Sequence, residues 1–177
     1  IDDSTTADKN AEVGYVGLNG TVGKYANLGG FYEKLSSNSV SGTDAAGNTY
    51  TVQGGDIYGF NADVNYKKAW VGGEWLTNSS VGDSNAWVAG IGYGDYDISK
   101  AKTWDAKVQY FNEDVNAPIV DSKYNQQYNQ DYKGWMATVD YAVAENVGLT
   151  ANYGFNSKDQ AGNDKGDYYR AELNYKF

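Results

Sequence analysis

The sequence predicts an all-β protein: an antiparallel transmembrane β-barrel of up-and-down meander topology, or the C-terminal portion of a larger one. Three observations carry this. Apolar and polar residues alternate with period two in stretch after stretch, connections alternate between long and short from the middle of the chain onward, and aromatic residues gather near both ends of the apolar faces. A strand turns successive side chains to opposite faces, so period-two alternation marks a sheet with one apolar and one wet side. The last stretch is the cleanest: Tyr169, Ala171, Leu173, Tyr175 and Phe177 share one parity, and Arg170, Glu172, Asn174 and Lys176 the other.

Composition narrows the chemistry. The 177 residues include no Cys and no His. That removes disulfide scaffolds, thiolate and imidazole metal sites, and hydrolases built on a Ser-His pair. Composition leaves carboxylate-only and lysine chemistry open, but outer-membrane lipases and proteases lean on His, so neither an enzyme nor a cofactor is expected. A formal charge of −9 argues against a nucleic-acid partner, because phosphate recognition needs a basic surface. With 17 Tyr, 5 Trp and 22 Gly against a single Pro, the chain suits many strands joined by turns. An apolar run of ~18 residues, which a membrane-spanning helix would need, is absent, and no cationic-plus-apolar signal peptide opens the chain.

Residues 1–10 are expected to form a polar end or loop and 11–177 the barrel strands. The first stretch, 12–22, places Val16, Leu18 and Val22 on one parity but is interrupted by glycines; with 27–35 it is the weakest strand signal. Residues 36–55, rich in Ser, Thr, Asn and Gly, read as a loop. Tyr58 to Tyr66 follows as a strand, Lys67-Lys68 as a tight turn, and Ala69 to Trp75 as the next strand, with Trp70 and Leu76 on the wet side. Beyond a loop at 78–84, Trp87 to Tyr93 alternates with Val88, Gly90 and Gly92. A turn at 95–100 leads to Trp104 through Tyr110, and a second long polar loop, 112–131, holds Pro118. Trp135 to Tyr141, a turn at 144–146, Val147 to Phe155, a loop at 157–166 and the final strand complete about nine strands of ~9–11 residues, the length a tilted strand needs to cross a bilayer.

Long loops on one side and short turns on the other are the habit of outer-membrane barrels. The aromatic residues sort the same way. Tyr58, Trp75, Trp87, Tyr110, Trp135, Tyr153, Phe155 and Tyr169 fall near the long-loop ends, and Tyr66, Tyr93, Trp104, Tyr141, Tyr175 and Phe177 near the short-turn ends. Small and aliphatic residues such as Ala137 and Val139 lie between, as expected of two interfacial belts around an apolar band. The short turns are then expected on the periplasmic side. Nine is an odd number, whereas single-chain bacterial barrels usually have even counts; either the weak first pair is miscounted or, as the preferred expectation, further strands lie upstream.

The opposite parity is expected to face a lumen. It carries Glu33, Asp63, Glu74, Asp105, Asp140 and Glu172 against Lys107, Arg170 and Lys176. This excess of acid predicts a weak preference for cations or neutral solutes; the competing expectation is that these groups pair across neighbouring strands and stiffen the wall. Phe31, Trp70, Leu76, Val88, Phe111 and Met136 share that parity and read as scattered among glycines and polar groups. Asp114, Asp121 and Asp131 match no compact calcium loop and are expected in a solvated loop.

The ending Tyr175-Lys176-Phe177 resembles the C-terminal strand of bacterial outer-membrane β-barrel proteins, which implies that Tyr175 and Phe177 form the signal read by the barrel-assembly machinery. More narrowly, the Tyr- and Asn-rich strands, the polar loops and the run Tyr-Arg-Ala-Glu-Leu-Asn-Tyr-Lys-Phe look like the barrel part of porins from diderm Firmicutes, in which an S-layer-homology domain tethers membrane to wall. The resemblance implies an outer-membrane location, a lipid surround and a trimeric diffusion channel. A passive porin or part of one is therefore expected. The alternatives are a plugged or anchoring barrel working through its external loops, and a soluble sandwich that binds carbohydrate through clustered Trp.

Overall fold

The computed structural model describes residues 13–43, 47–118 and 128–177. The polar end at 1–10 and Asp121 lie outside the described residues. Among them run nine strands: β1 (Val13–Val22), β2 (Ala26–Thr43), β3 (Thr49–Tyr66), β4 (Ala69–Asn78), β5 (Asn85–Gly94), β6 (Trp104–Glu113), β7 (Tyr132–Ala144), β8 (Val147–Lys158) and β9 (Tyr168–Tyr175). Each pairs antiparallel with its neighbours in sequence, giving one meander sheet of order β1 to β9. Odd-numbered strands therefore share one direction. β1 and β9 do not touch, so the sheet is open between two parallel edges.

The stretch 36–55 is not the loop that its composition suggests. β2 and β3 each run to 18 residues and pair through most of it, with a register shift between Leu35 and Ser39. Polar β-branched residues satisfy the ladder as well as apolar ones do, so low hydrophobicity did not signal a turn. The glycine-blurred pair β1 and β2 is likewise regular, in unbroken register from Val13↔Leu35 to Val22↔Ala26. At the other end the connections are tight. Lys67 and Asn146 each take a positive φ, 56° and 62°, to close the β3–β4 and β7–β8 turns.

The sheet is strongly curled. Phe31 of β2 and Tyr168 of β9 pack against the same apolar cluster, although strands seven places apart in a flat sheet would lie roughly 34 Å from one another at ~4.8 Å per strand. Curling defines a concave face, and most of the buried residues lie on it. The cluster consists of Leu76, Ala86, Val88, Phe111, Ala117, Tyr128, Tyr132 and Met136. The residues that read as scattered are thus brought together by register: Leu76 faces Ala86, Val88 faces Phe111, and Phe111 faces Gly134 across adjacent strands. Ala117 and Tyr128 of the long β6–β7 connection pack onto the concave side.

Candidate functional site

The distribution of apolar side chains is inverted relative to a water-soluble sheet. On the convex face Leu18 is 79% exposed, Phe60 59%, Ile91 65% and Tyr169 73%, and Val16, Val71, Val108, Val139 and Leu173 are exposed with them. On the concave face Glu74, Gln109 and Thr138 are buried. Contiguous apolar surface running across all the strands far exceeds what soluble monomers present to water.

Aromatic rings edge this surface. Near the long-connection end, Tyr58 and Phe60 meet Trp75 with centroids 6.0 and 5.5 Å apart. Trp87, Tyr110, Trp135 and Phe155 follow at successive spacings of 5.4, 4.9 and 6.5 Å. Tyr153 continues the row to Tyr169 at 4.8 Å. Near the short-turn end lie Tyr66 against Tyr25, Tyr93 against Trp104, and Trp104 opposite Tyr141, with Tyr175 opposite Val147. Between the tiers Val71, Ile91 and Val108 are aligned across β4, β5 and β6. Phe60 and Tyr25 complete rows that strand parity alone left thinner.

By register, Glu33, Asp63, Glu74, Asp105, Lys107 and Asp140 lie on the strand face opposite the exposed apolar rows. Asp63 accepts hydrogen bonds from Asn27 and Asn65 at 2.9 and 2.7 Å. Asp105 stands opposite Asp140 across β6 and β7, and Asp140 accepts from the Thr150 hydroxyl. Glu74 is buried opposite Val88, Glu33 stands opposite Tyr15, and Lys107 lies opposite Thr138. Lys34 pairs with Asp56 across β2 and β3 at 3.8 Å, whereas Arg170 pairs with Glu172 along its own strand. Lys176 leaves the wall and donates to Ser99 in the β5–β6 turn at 3.5 Å.

At the long-connection end, residues 128–131 of the β6–β7 connection lie over the concave face. Gln130 donates to the Thr51 and Ala117 carbonyls at 2.5 and 2.8 Å and accepts from the Thr51 N–H at 3.0 Å. Two residues earlier, the Tyr128 hydroxyl donates to the Lys165 carbonyl at 2.8 Å, with the Lys165 ammonium over its ring. One short segment thus reaches β3 on one side and the β8–β9 connection on the other. Asp114 and Asp131, both half-buried, are also tied into this structure: Asp114 accepts from the Asn85 N–H, and Asp131 from the Gln160 N–H, both at 2.9 Å. Among the described residues no acidic group gathers as a metal site. Gln130 and Gln160 escaped the sequence reading because a residue that pins a loop leaves no periodic trace.

The connections have electrostatics of their own. Lys100, 2.9 Å away, and the Ser99 N–H hold the Asp97 carboxyl below its usual range. Asn163, through its side chain and its backbone N–H, does the same for Asp159. In the β3–β4 turn, Asp95 at 2.9 Å raises the Lys68 ammonium above its ordinary value.

No protein-family model matches the chain. Comparison with curated proteins finds no match either.

Proposed function

We propose that this chain forms wall of a water-filled channel in a bacterial outer membrane, as a porin or part of one, passing small hydrophilic solutes and ions by diffusion. The observation that carries the reading is the inversion: a convex apolar surface edged by aromatic rings, with the polar and charged side chains on the concave face. Lipid is the solvent that such a convex face matches, since a spanning barrel presents an apolar band to the bilayer and a polar lining inside. The lining carries more acid than base, which favours cations weakly. Residues 128–131, tied to β3 and to the β8–β9 connection, narrow the passage. Tyr175 and Phe177 would present the final strand to the assembly machinery, and further strands or further copies would close the two open edges.

The apolar cluster that Ala117 and Tyr128 complete over the concave face favours a second reading, a plugged or anchoring barrel acting through its outer connections. Single-channel recording separates the two. The chain, refolded from detergent into planar bilayers, is expected to give stable current steps and a reversal potential of cation sign under a salt gradient. Insertion without current would support the plugged barrel, and a chain that stays soluble without detergent and never inserts would refute the membrane reading.

A further inference from the structure

The concave wall holds a cavity of about 310 Å³ toward the short-turn end, bounded by Trp70, Gln109 and the charged or amide side chains of Asp63, Asn65, Asp105 and Lys107. Its volume lies in the range of small-molecule sites. Trp70 is the floor. A Cβ added at Gly72, Gly90 or Gly92 would come within 2.9, 3.1 and 3.4 Å of the Trp70 ring. The atoms met, Cζ2, Cζ3 and Cε3, span the six-membered ring. An indole ring touching three side-chain-free positions through atoms so spread lies flat on the wall. One face is covered by glycine backbone; the other looks into the cavity.

Gln109 supplies a second, independent observation. It is 1% exposed and lines the cavity, yet its Oε1 accepts no hydrogen bond from the described residues. A buried acceptor without a donor is costly and rare in native structures. Here a ligand O–H or N–H would satisfy it. Asp63 and Asp105 add further acceptors, and Lys107 and the Asn65 amide add donors. With Lys68 counted, two acids and two lysines border the cavity, so a net ligand charge of either sign gains little.

A flat aromatic face, an orphaned acceptor and mixed donors and acceptors of zero net charge describe one ligand class. A polyhydroxylated ring offers C–H groups to the indole and O–H groups to the rest. We infer that Trp70 and Gln109 form a binding station for a neutral saccharide. This inference rests on the channel reading only in making the station part of a solute path. The site itself stands on the cavity.

The test uses the full chain, folded in detergent micelles, where no ion flow is needed. Calorimetric titration with maltose and with glucose is expected to show weak, saturable binding of at least one of them. Trp70→Ala is expected to weaken it by about fivefold or more, the scale of a lost stacking contact, and Gln109→Leu severalfold with the fold retained. If Trp70→Ala does not refold, Trp70→Phe, which keeps a smaller platform, and Gln109→Leu decide the question. Absence of saccharide binding by the folded chain would overturn the proposal, as would binding unaffected by these variants. So would saturable binding of tetramethylammonium in place of the sugars, since that would make the station a cation site. Binding without current would sink the channel and leave the station; current without binding would do the reverse.

Discussion

Replacing Ile91 by Arg separates a lipid-facing surface from a water-facing one. Ile91 sits on the convex face of β5, 65% exposed, aligned with Val71 and Val108 on the flanking strands. It lies one residue from the midpoint between Trp87 and Tyr93, rings that are about 20 Å apart along the strand at ~3.3 Å per residue. That span fits inside the ~25 Å apolar band of an outer-membrane barrel. In a bilayer, Arg near the midplane costs about 2–4 kcal/mol, a factor of roughly 30 to 1,000 in the folding equilibrium. In water the same exposed position would tolerate Arg within about 0.5 kcal/mol. Urea unfolding in lipid vesicles, followed by tryptophan emission, measures the difference. A change below about 0.5 kcal/mol would refute a lipid-facing Ile91, and with it the argument from inversion.

Three further outcomes follow from single contacts. Gly94→Ala is expected to cost about 2 kcal/mol or more in the same unfolding assay, because Gly94 has φ 137° and a Cβ there would lie 2.3 Å from the Asp105 Cα; a neutral result would refute the close approach. Gln130→Ala removes three hydrogen bonds, two that hold residues 128–131 to Thr51 of β3 and one to Ala117 within the same connection. At about 1 kcal/mol each, amide exchange at Thr51 should speed up by roughly 30- to 150-fold, and unchanged protection would show that the segment is held elsewhere. The Asp159 carboxyl, held low by Asn163, favours the folded connection when ionised. Its contribution is therefore complete above about pH 4 and is lost as pH falls through the lowered pKa. Normalised protection of the Asn163 amide should drop over that acid range, and the drop should be absent in Asp159→Asn.

Strand existence and facing were legible because parity is an unbroken two-state variable: once Tyr169, Ala171 and Leu173 share a side, Arg170 and Glu172 must share the other. The same rule puts Glu74, Asp105 and Asp140 on the parity opposite the apolar rows. It failed in two physical situations. In the β2–β3 hairpin, backbone pairing such as Ser41↔Thr51 is made by polar residues, so hydropathy carries no signal although the ladder is intact. Over the concave face, Phe111, Met136 and Val88 looked isolated because their contacts run across strands and to Ala117 and Tyr128 of a connection; a pattern along one strand is blind to such partners. The Trp70 floor was half legible. Its wrong-side parity was visible, but its flatness depends on Gly72 beside it and on Gly90 and Gly92 in the next strand.

The open edges make closure a chemical question. All eight ladders are antiparallel, so β1 and β9 run in the same direction. Direct pairing of β9 with β1 would be parallel, and so would pairing with β1 of a second copy lying the same way up in the membrane. An antiparallel seam on both edges needs an odd number of intervening strands. The chain has no Cys, so cysteines placed at Val16 or Leu18 on β1 and at Ala171 or Leu173 on β9 report edge contacts against a clean background. A disulfide needs Cα atoms within about 7 Å, and β1 and β9 do not touch. Oxidation of the micelle-folded double variants should therefore leave the chain without an internal crosslink on a non-reducing gel. An internal disulfide in high yield would mean that nine strands close on themselves through a parallel seam, refuting the open sheet. Crosslinks between chains would show that copies meet at these edges, making the completed wall an assembly.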